Sequence, residues 1–191
     1  MDALIRTLII EDNANYALLL KEMIETASKY EFLAEIAGTL SEGLKRLSQG
    51  GINLVLVDLN LPDAKGFLSC QRVHELTPTV PIVVVSGASP EEEFAVKCLQ
   101  LGAQDYLLKG EFDRKSLMRS VRYAMHRKKI ELEHKKIESA LKNANQALVD
   151  KVSELDRLNA TMMGREERIL ELKQELKELK RKLSGNMGLA A

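Results

Sequence analysis

Four stretches of this 191-residue chain each finish on a group that could do chemistry. Leu4 to Ile10 runs into Glu11 and Asp12, Leu54 to Val57 into Asp58, Pro81 to Val85 into Ser86, and Gln104 to Leu108 into Lys109. Each end has an ordinary explanation when taken singly. An Asp before a turn is common, Ser forms turns, and Lys belongs on surfaces. If the four stretches are strands whose ends share one edge, three carboxylates, a hydroxyl and an ammonium arrive together. Three carboxylates resist joint ionisation without a cation, because like charges disfavour it. A hard divalent ion such as Mg²⁺, which prefers carboxylate and water oxygens, resolves the conflict. With Lys109 as a fixed positive charge and Ser86 as a neutral donor, the set makes a cradle for a phosphoryl group. Asp58 is then the nucleophile, since a carboxylate can carry phosphoryl as an acyl phosphate.

The elements that position these groups follow from hydrophobic pattern. Asn53 to Pro62 is the organising stretch, an apolar run that delivers Asp58 and stops at a proline turn. Leu54 to Val57 lack the polar alternation of a half-wet strand, so both faces must be covered, as in a parallel sheet between helices. In such sheets chemistry gathers beyond the carboxyl ends of the strands. Leu4 to Ile10, Phe32 to Ala37, Pro81 to Ser86 and Gln104 to Leu108 supply the other strands. Between them, Asn13 caps a helix through Ser28 whose inner face is Leu18, Leu19, Met23 and Ile24. Ser41 caps a short helix carrying Leu44 and Leu47 and ending near Gly50-Gly51. Further helices are expected over Phe67 to Leu76, Glu91 to Leu101, and from Phe112 to about Met125. Five strand–helix units imply a doubly wound α/β domain, a (βα)5 parallel sheet, over residues 1–125.

Beyond Met125 the composition shifts to Lys, Glu, Leu and Arg, with almost no Gly or Pro. One heptad phase holds throughout. Leu141, Leu148, Leu155, Met162, Ile169, Leu176 and Leu183 occupy position a, while Ile130, Ile137, Ala144, Leu158, Leu172 and Leu179 occupy d. A stripe this long predicts a coiled-coil helix over 126–184, followed by a flexible tail over 185–191. From Ile130 to Leu183 such a helix spans roughly 80 Å, more than its own domain could cover, so a second helix is expected, most simply in a homodimer. Lys151 and Arg165 interrupt the d row, and Gly164 weakens the helix locally.

Composition bounds the rest. Lys plus Arg and Asp plus Glu number 28 each, so net charge gives no case for nucleic acid or membrane. Arg119, Arg122, Arg127, Lys128, Lys129, Lys135 and Lys136 form a basic run, but without interleaved aromatics it reads as a solvated helix face. Cys70 and Cys98 have no partner spacing and read as buried small hydrophobes in a reducing compartment. No apolar run spans a bilayer and the N-terminus carries no cleavable signal pattern, so a cytoplasmic protein is expected. His74 reads as surface or packing, and His126 and His134 lie in no phosphotransfer pattern.

Glu11-Asp12-Asn13, Val57-Asp58-Leu59-Asn60-Leu61-Pro62-Asp63 with Gly66, Ser86-Gly87-Ala88, and Tyr106-Leu107-Leu108-Lys109 together resemble the receiver domain of two-component response regulators. The resemblance covers about residues 3 to 125. It implies a flavodoxin-like fold, a phosphoacceptor at Asp58, and Mg²⁺ held by Asp12, Asp58 and the main-chain oxygen of Asn60 with help from Glu11. It also implies phosphoryl contacts from Ser86 and Lys109, a switch of Ser86 and Tyr106, and a histidine kinase or phosphotransfer protein as donor. Ser86 stands where Thr is more usual, and Gly110 where Pro often follows the Lys. The segment from Asn159 to Lys173 resembles linkers between PAS sensor domains and histidine-kinase cores. Two other readings compete. One is a coiled-coil adaptor, or a piece of a larger signalling protein, whose receiver is rarely phosphorylated. The other is an α/β phosphatase with an Asp nucleophile, which would want a second Asp two residues on, where Asn60 stands.

Overall fold

A computed structural model describes residues 4–26, 32–87 and 92–187. The expected helix end at Ser28, the helix start at Glu91, Ala88 of the third motif, and the last residues of the tail lie outside those residues. The described chain runs β1 (Ile5–Ile10), α1 (Ala14–Glu25), β2 (Phe32–Ala37), α2 (Leu40–Ser48), β3 (Leu54–Val57), β4 (Asn60–Leu61) and β5 (Ala64–Lys65). It continues with α3 (Leu68–Leu76), β6 (Ile82–Ser86), α4 (Glu92–Gln100), β7 (Asp105–Leu108) and α5 (Arg114–Met187).

The main sheet has the order β2-β1-β3-β6-β7 with every pair parallel, the flavodoxin-like arrangement expected from the strand runs. β4 and β5 form a separate antiparallel pair just beyond the Asp58 strand. Side chains alternate across the sheet, and both faces are buried. Leu8, Ile10, Val55, Val57 and Val84 join Leu47 of α2 and Val73 of α3 in one layer. Ile9, Leu54, Leu56, Val83 and Val85 join Leu20 and Ile24 of α1 and Leu117 and Val121 of α5 in the other. That two-sided burial is why β3 carries no polar alternation.

Three local expectations are corrected. On α1, Ile24 and Met23 face the core as expected, but Ala17 and Leu20 complete that face, whereas Leu18 and Leu19 stand 57% and 43% exposed. Asn13 caps this helix as expected, accepting from the main chain of Asn15 and Tyr16, and the phase it sets turns small Ala17 toward the sheet. The cap of α2 is Thr39, not Ser41, with Thr39 Oγ1 accepting from Glu42 N at 3.2 Å. Ser41 sits in the first turn, where its N–H and hydroxyl both donate to Asp63. Lys128 does not lie on a solvated face: it is 2% exposed, with Nζ 3.0 Å from Glu131. Burying an ammonium costs hydration, and the Glu131 carboxylate one turn on offsets part of that loss.

The chain divides into two compact units, Met1–Lys135 and Lys136–Ala191. In the second, every described side chain from Lys136 to Leu179 is exposed, including Ile137, Leu141, Leu148, Leu155, Ile169 and Leu176. Among the described residues, no helix is long and apolar enough to cross a membrane.

Candidate functional site

Ladder hydrogen bonds extend one residue past the strands and seat the polar groups at the sheet edge. Glu11 N donates to Ala37 O at 3.0 Å, Asp58 N to Ile10 O at 2.9 Å, and Lys109 N to Ser86 O at 2.9 Å. With β1 beside β3 in the register Ile10 to Val57, Glu11 and Asp12 must emerge next to Asp58. One oxygen from each of Glu11, Asp12 and Asp58 lies within 4.8 Å of the others. Glu11 and Asp58 are buried, at 2% and 3% exposure, while Asp12 faces solvent.

Lys109 binds this cluster together. Its Nζ donates to Asp58 Oδ2 at 2.8 Å and pairs with Glu11 Oε2 at 2.6 Å, the latter off the line that a good hydrogen bond needs. Burial pulls the ammonium's pKa down, but its bonds to Asp58 and Glu11 outweigh that and hold it above the ordinary lysine value. Burial pushes the Glu11 carboxyl up, against the opposing pull of Lys109. Asp58 Oδ1 is buried with no hydrogen-bond partner among the described residues. An orphaned carboxylate oxygen inside an all-oxygen cluster fits a hard cation such as Mg²⁺.

The cluster opens into a cleft of about 550 Å³ lined by Asp58, Asn60, Gly66, Ser86, Phe94 and Lys109, among others. Sequence reasoning placed Asp58, Ser86 and Lys109 together, and the cleft contains all three. Asn60 lies at its rim in β4, its side chain accepting from Lys65 Nζ at 2.8 Å. Tyr106 stands behind Ser86, and the Ser86 side chain hydrogen-bonds the Tyr106 hydroxyl, whose pKa burial raises. Tyr106 meets the edge of Phe94 at 6.5 Å, and Phe94 packs on Phe67 at 4.3 Å. These two phenylalanines escaped the sequence reading because nothing in their spacing links them to Asp58. Gly110 adopts φ +84°, in the left-handed region that a Pro cannot enter, which accounts for a glycine after Lys109. His74 lies at the far end of the sheet, its ring against Gly102.

Residues 7–122 match the response regulator receiver domain family. Among curated proteins, the probable C4-dicarboxylate response regulator DctR of Bacillus subtilis is 29% identical over 150 residues, covering 76% of this chain and 65% of that protein. A protein-glutamate methylesterase/protein-glutamine glutaminase of Geobacter sulfurreducens is 30% identical over 124 residues, covering 65% of this chain and 33% of its own length. Set beside these relatives, the chain therefore spans between one third and two thirds of their length. Among solved structures, a CheY-like receiver domain protein from Methanospirillum hungatei superposes with a TM-score of 0.59 at 29% identity, covering 68% of this chain and 99% of that one.

Proposed function

The chain belongs to the response regulator receiver domain family, and from that premise we propose that Asp58 accepts a phosphoryl group from a histidine kinase or phosphotransfer protein, with output through a dimerising α5. The observation that carries the proposal is the Lys109 ammonium held at 2.8 Å from a buried Asp58 whose other oxygen has no hydrogen-bond partner among the described residues. An Asp58 oxygen attacks phosphorus as the bond to the donor's imidazole nitrogen breaks; with the donor ring protonated on its other nitrogen, the electron pair leaves on neutral imidazole and an aspartyl phosphate remains. Lys109 meets the transferred charge without first crossing solvent. Glu11, Asp12, Asp58 and the main-chain oxygen of Asn60 would hold Mg²⁺, whose charge would further neutralise the phosphoryl oxygens.

Ser86 offers its hydroxyl to the same phosphoryl. Because that side chain also hydrogen-bonds Tyr106, recruiting it disturbs the Tyr106–Phe94 contact and so reaches α4 and β7. The exposed a and d side chains of α5 support a second copy as the covering partner, since apolar stripes of this length are stabilised by association. Intact-mass spectrometry with a small acyl-phosphate donor tests the chemistry. One phosphoryl should appear on wild type with Mg²⁺ and none on Asp58→Asn. Equal labelling of both would remove Asp58 as the acceptor.

A further inference from the structure

We propose that Tyr16 is the positioning residue for Lys109, its ring face fixing where the ammonium stands at the Asp58 edge. The inference rests on the phosphoacceptor reading above and assigns a part of that site to a residue outside the motifs. Lys109 Nζ lies 4.8 Å from the centroid of the Tyr16 ring, within the range at which a ring quadrupole holds a cation. An ammonium has three protons to direct. Asp58 takes up one direction at 2.8 Å, Glu11 Oε2 lies at 2.6 Å off the hydrogen-bond line, and the ring faces the same nitrogen.

Tyr16 is itself held. Its main-chain N–H donates to Asn13 Oδ1 at 3.1 Å, while Asn13 N donates to Glu11 Oε1 at 3.2 Å. One short turn therefore sets both Glu11 and Tyr16 around the lysine. The ring is half-buried, so water competes only partly for the ammonium. The Gly110 N–H, in the loop just after Lys109, works against the rise that burial gives the Tyr16 hydroxyl's pKa. That loop carries glycine and thus lacks the fixed φ a proline would give. A lysine has a flexible four-carbon stem that must be ordered to act at one place. During phosphoryl transfer Glu11 and Asp58 change their bonding. The ring is a contact of the Lys109 ammonium that neither reacts nor carries charge.

The test uses the full chain as wild type, Tyr16→Phe, Tyr16→Leu and Tyr16→Met. Two readouts are taken: the rate of phosphoryl acceptance from acetyl phosphate with Mg²⁺, and the proton resonance of the Lys109 ε-methylene, assigned by its loss in Lys109→Gln. The ring should shift that resonance upfield in wild type and in Tyr16→Phe, and the shift should vanish in Tyr16→Leu and Tyr16→Met. Acceptance should slow about fivefold to tenfold in the two non-aromatic variants, the scale of a cation–π contact, and recover in Tyr16→Phe. Thermal melts identify any variant that fails to fold, and Tyr16→Met, closer in shape, then carries the comparison. A Lys109 resonance unmoved by loss of the ring, or Tyr16→Phe as slow as Tyr16→Leu, would overturn the proposal. Absence of acceptance in wild type would instead overturn the phosphoacceptor reading, and the Lys109 resonance would still decide the place of Tyr16.

Discussion

Cys70 of α3 and Cys98 of α4 show how completely the packing between these two helices excludes solvent. Both are free and fully buried, and burial pushes the Cys70 thiol up to about 12 and the Cys98 thiol up to about 11. The folded pKa values lie above the ordinary thiol value, so folding favours the protonated form. The resulting stability is fully present below pH 9 and is lost as pH rises toward 11 to 12. Thiolate is the reactive species, so the native protein should resist iodoacetamide at pH 8.5 while the urea-unfolded chain labels at both cysteines. Mass spectrometry of a labelling time course measures this, and rapid native labelling of either residue would refute it. The burial of these cysteines was legible from their helical settings. So were Glu11, Asp12, Asp58, Ser86 and Lys109, because each ends an apolar run. Tyr16 was not legible: its contact with Lys109 joins the first helix to the last strand, and no local pattern encodes it.

At the scale of elements, α2 shows how a helix start is chosen between two hydroxyls two residues apart. Thr39 takes the cap and Glu42 reaches back to Gly38 N at 2.9 Å, a close variant of the reciprocal capping box. Asp63 then receives the N–H groups of Leu40 and Ser41 at 2.8 and 2.9 Å. Those donors, with the Ser41 hydroxyl, hold the Asp63 carboxyl below its ordinary pKa. The pattern Thr39-x-x-Glu42 was available in the sequence, but Asp63 lies far along the chain and only the fold brings it to this helix. Thr39→Ala should cost about 1 kcal/mol, the usual worth of a side-chain cap, read as a lower urea midpoint with unchanged slope. Ser41→Ala should cost less, because Asp63 keeps its two main-chain donors. The reverse ranking would return the cap to Ser41.

For the whole molecule, the sequence showed where composition changes and not how far α5 stays packed on its domain. Ala124 and Lys128 are both buried, and only tertiary contact reveals that a lysine continues the inner face. In the proposed dimer, a second copy would cover the exposed apolar stripe of the second unit. Sedimentation equilibrium should find an oligomer for the intact chain at micromolar concentration. Leu148→Lys with Leu155→Lys, which puts charge at two successive a positions, should give a monomer whose receiver unit still melts cooperatively. A monomeric wild type would remove the coiled coil as the output.

The site has one more property, which concerns its assembly. Asp58 and Lys109 are 51 residues apart, and the lysine sits at the end of β7, the last strand to emerge and an edge of the sheet. Parallel strands are joined only by long crossovers, so their pairing waits on distant chain closure, while a helix such as α5 forms from neighbours within microseconds. The cradle therefore cannot be complete until β7 has docked. A nascent or half-folded chain can show helix and even bury β3, yet Asp58 then lacks the cation that stabilises it. If Asp58 accepts a phosphoryl as proposed, that competence would require the final strand to have docked first.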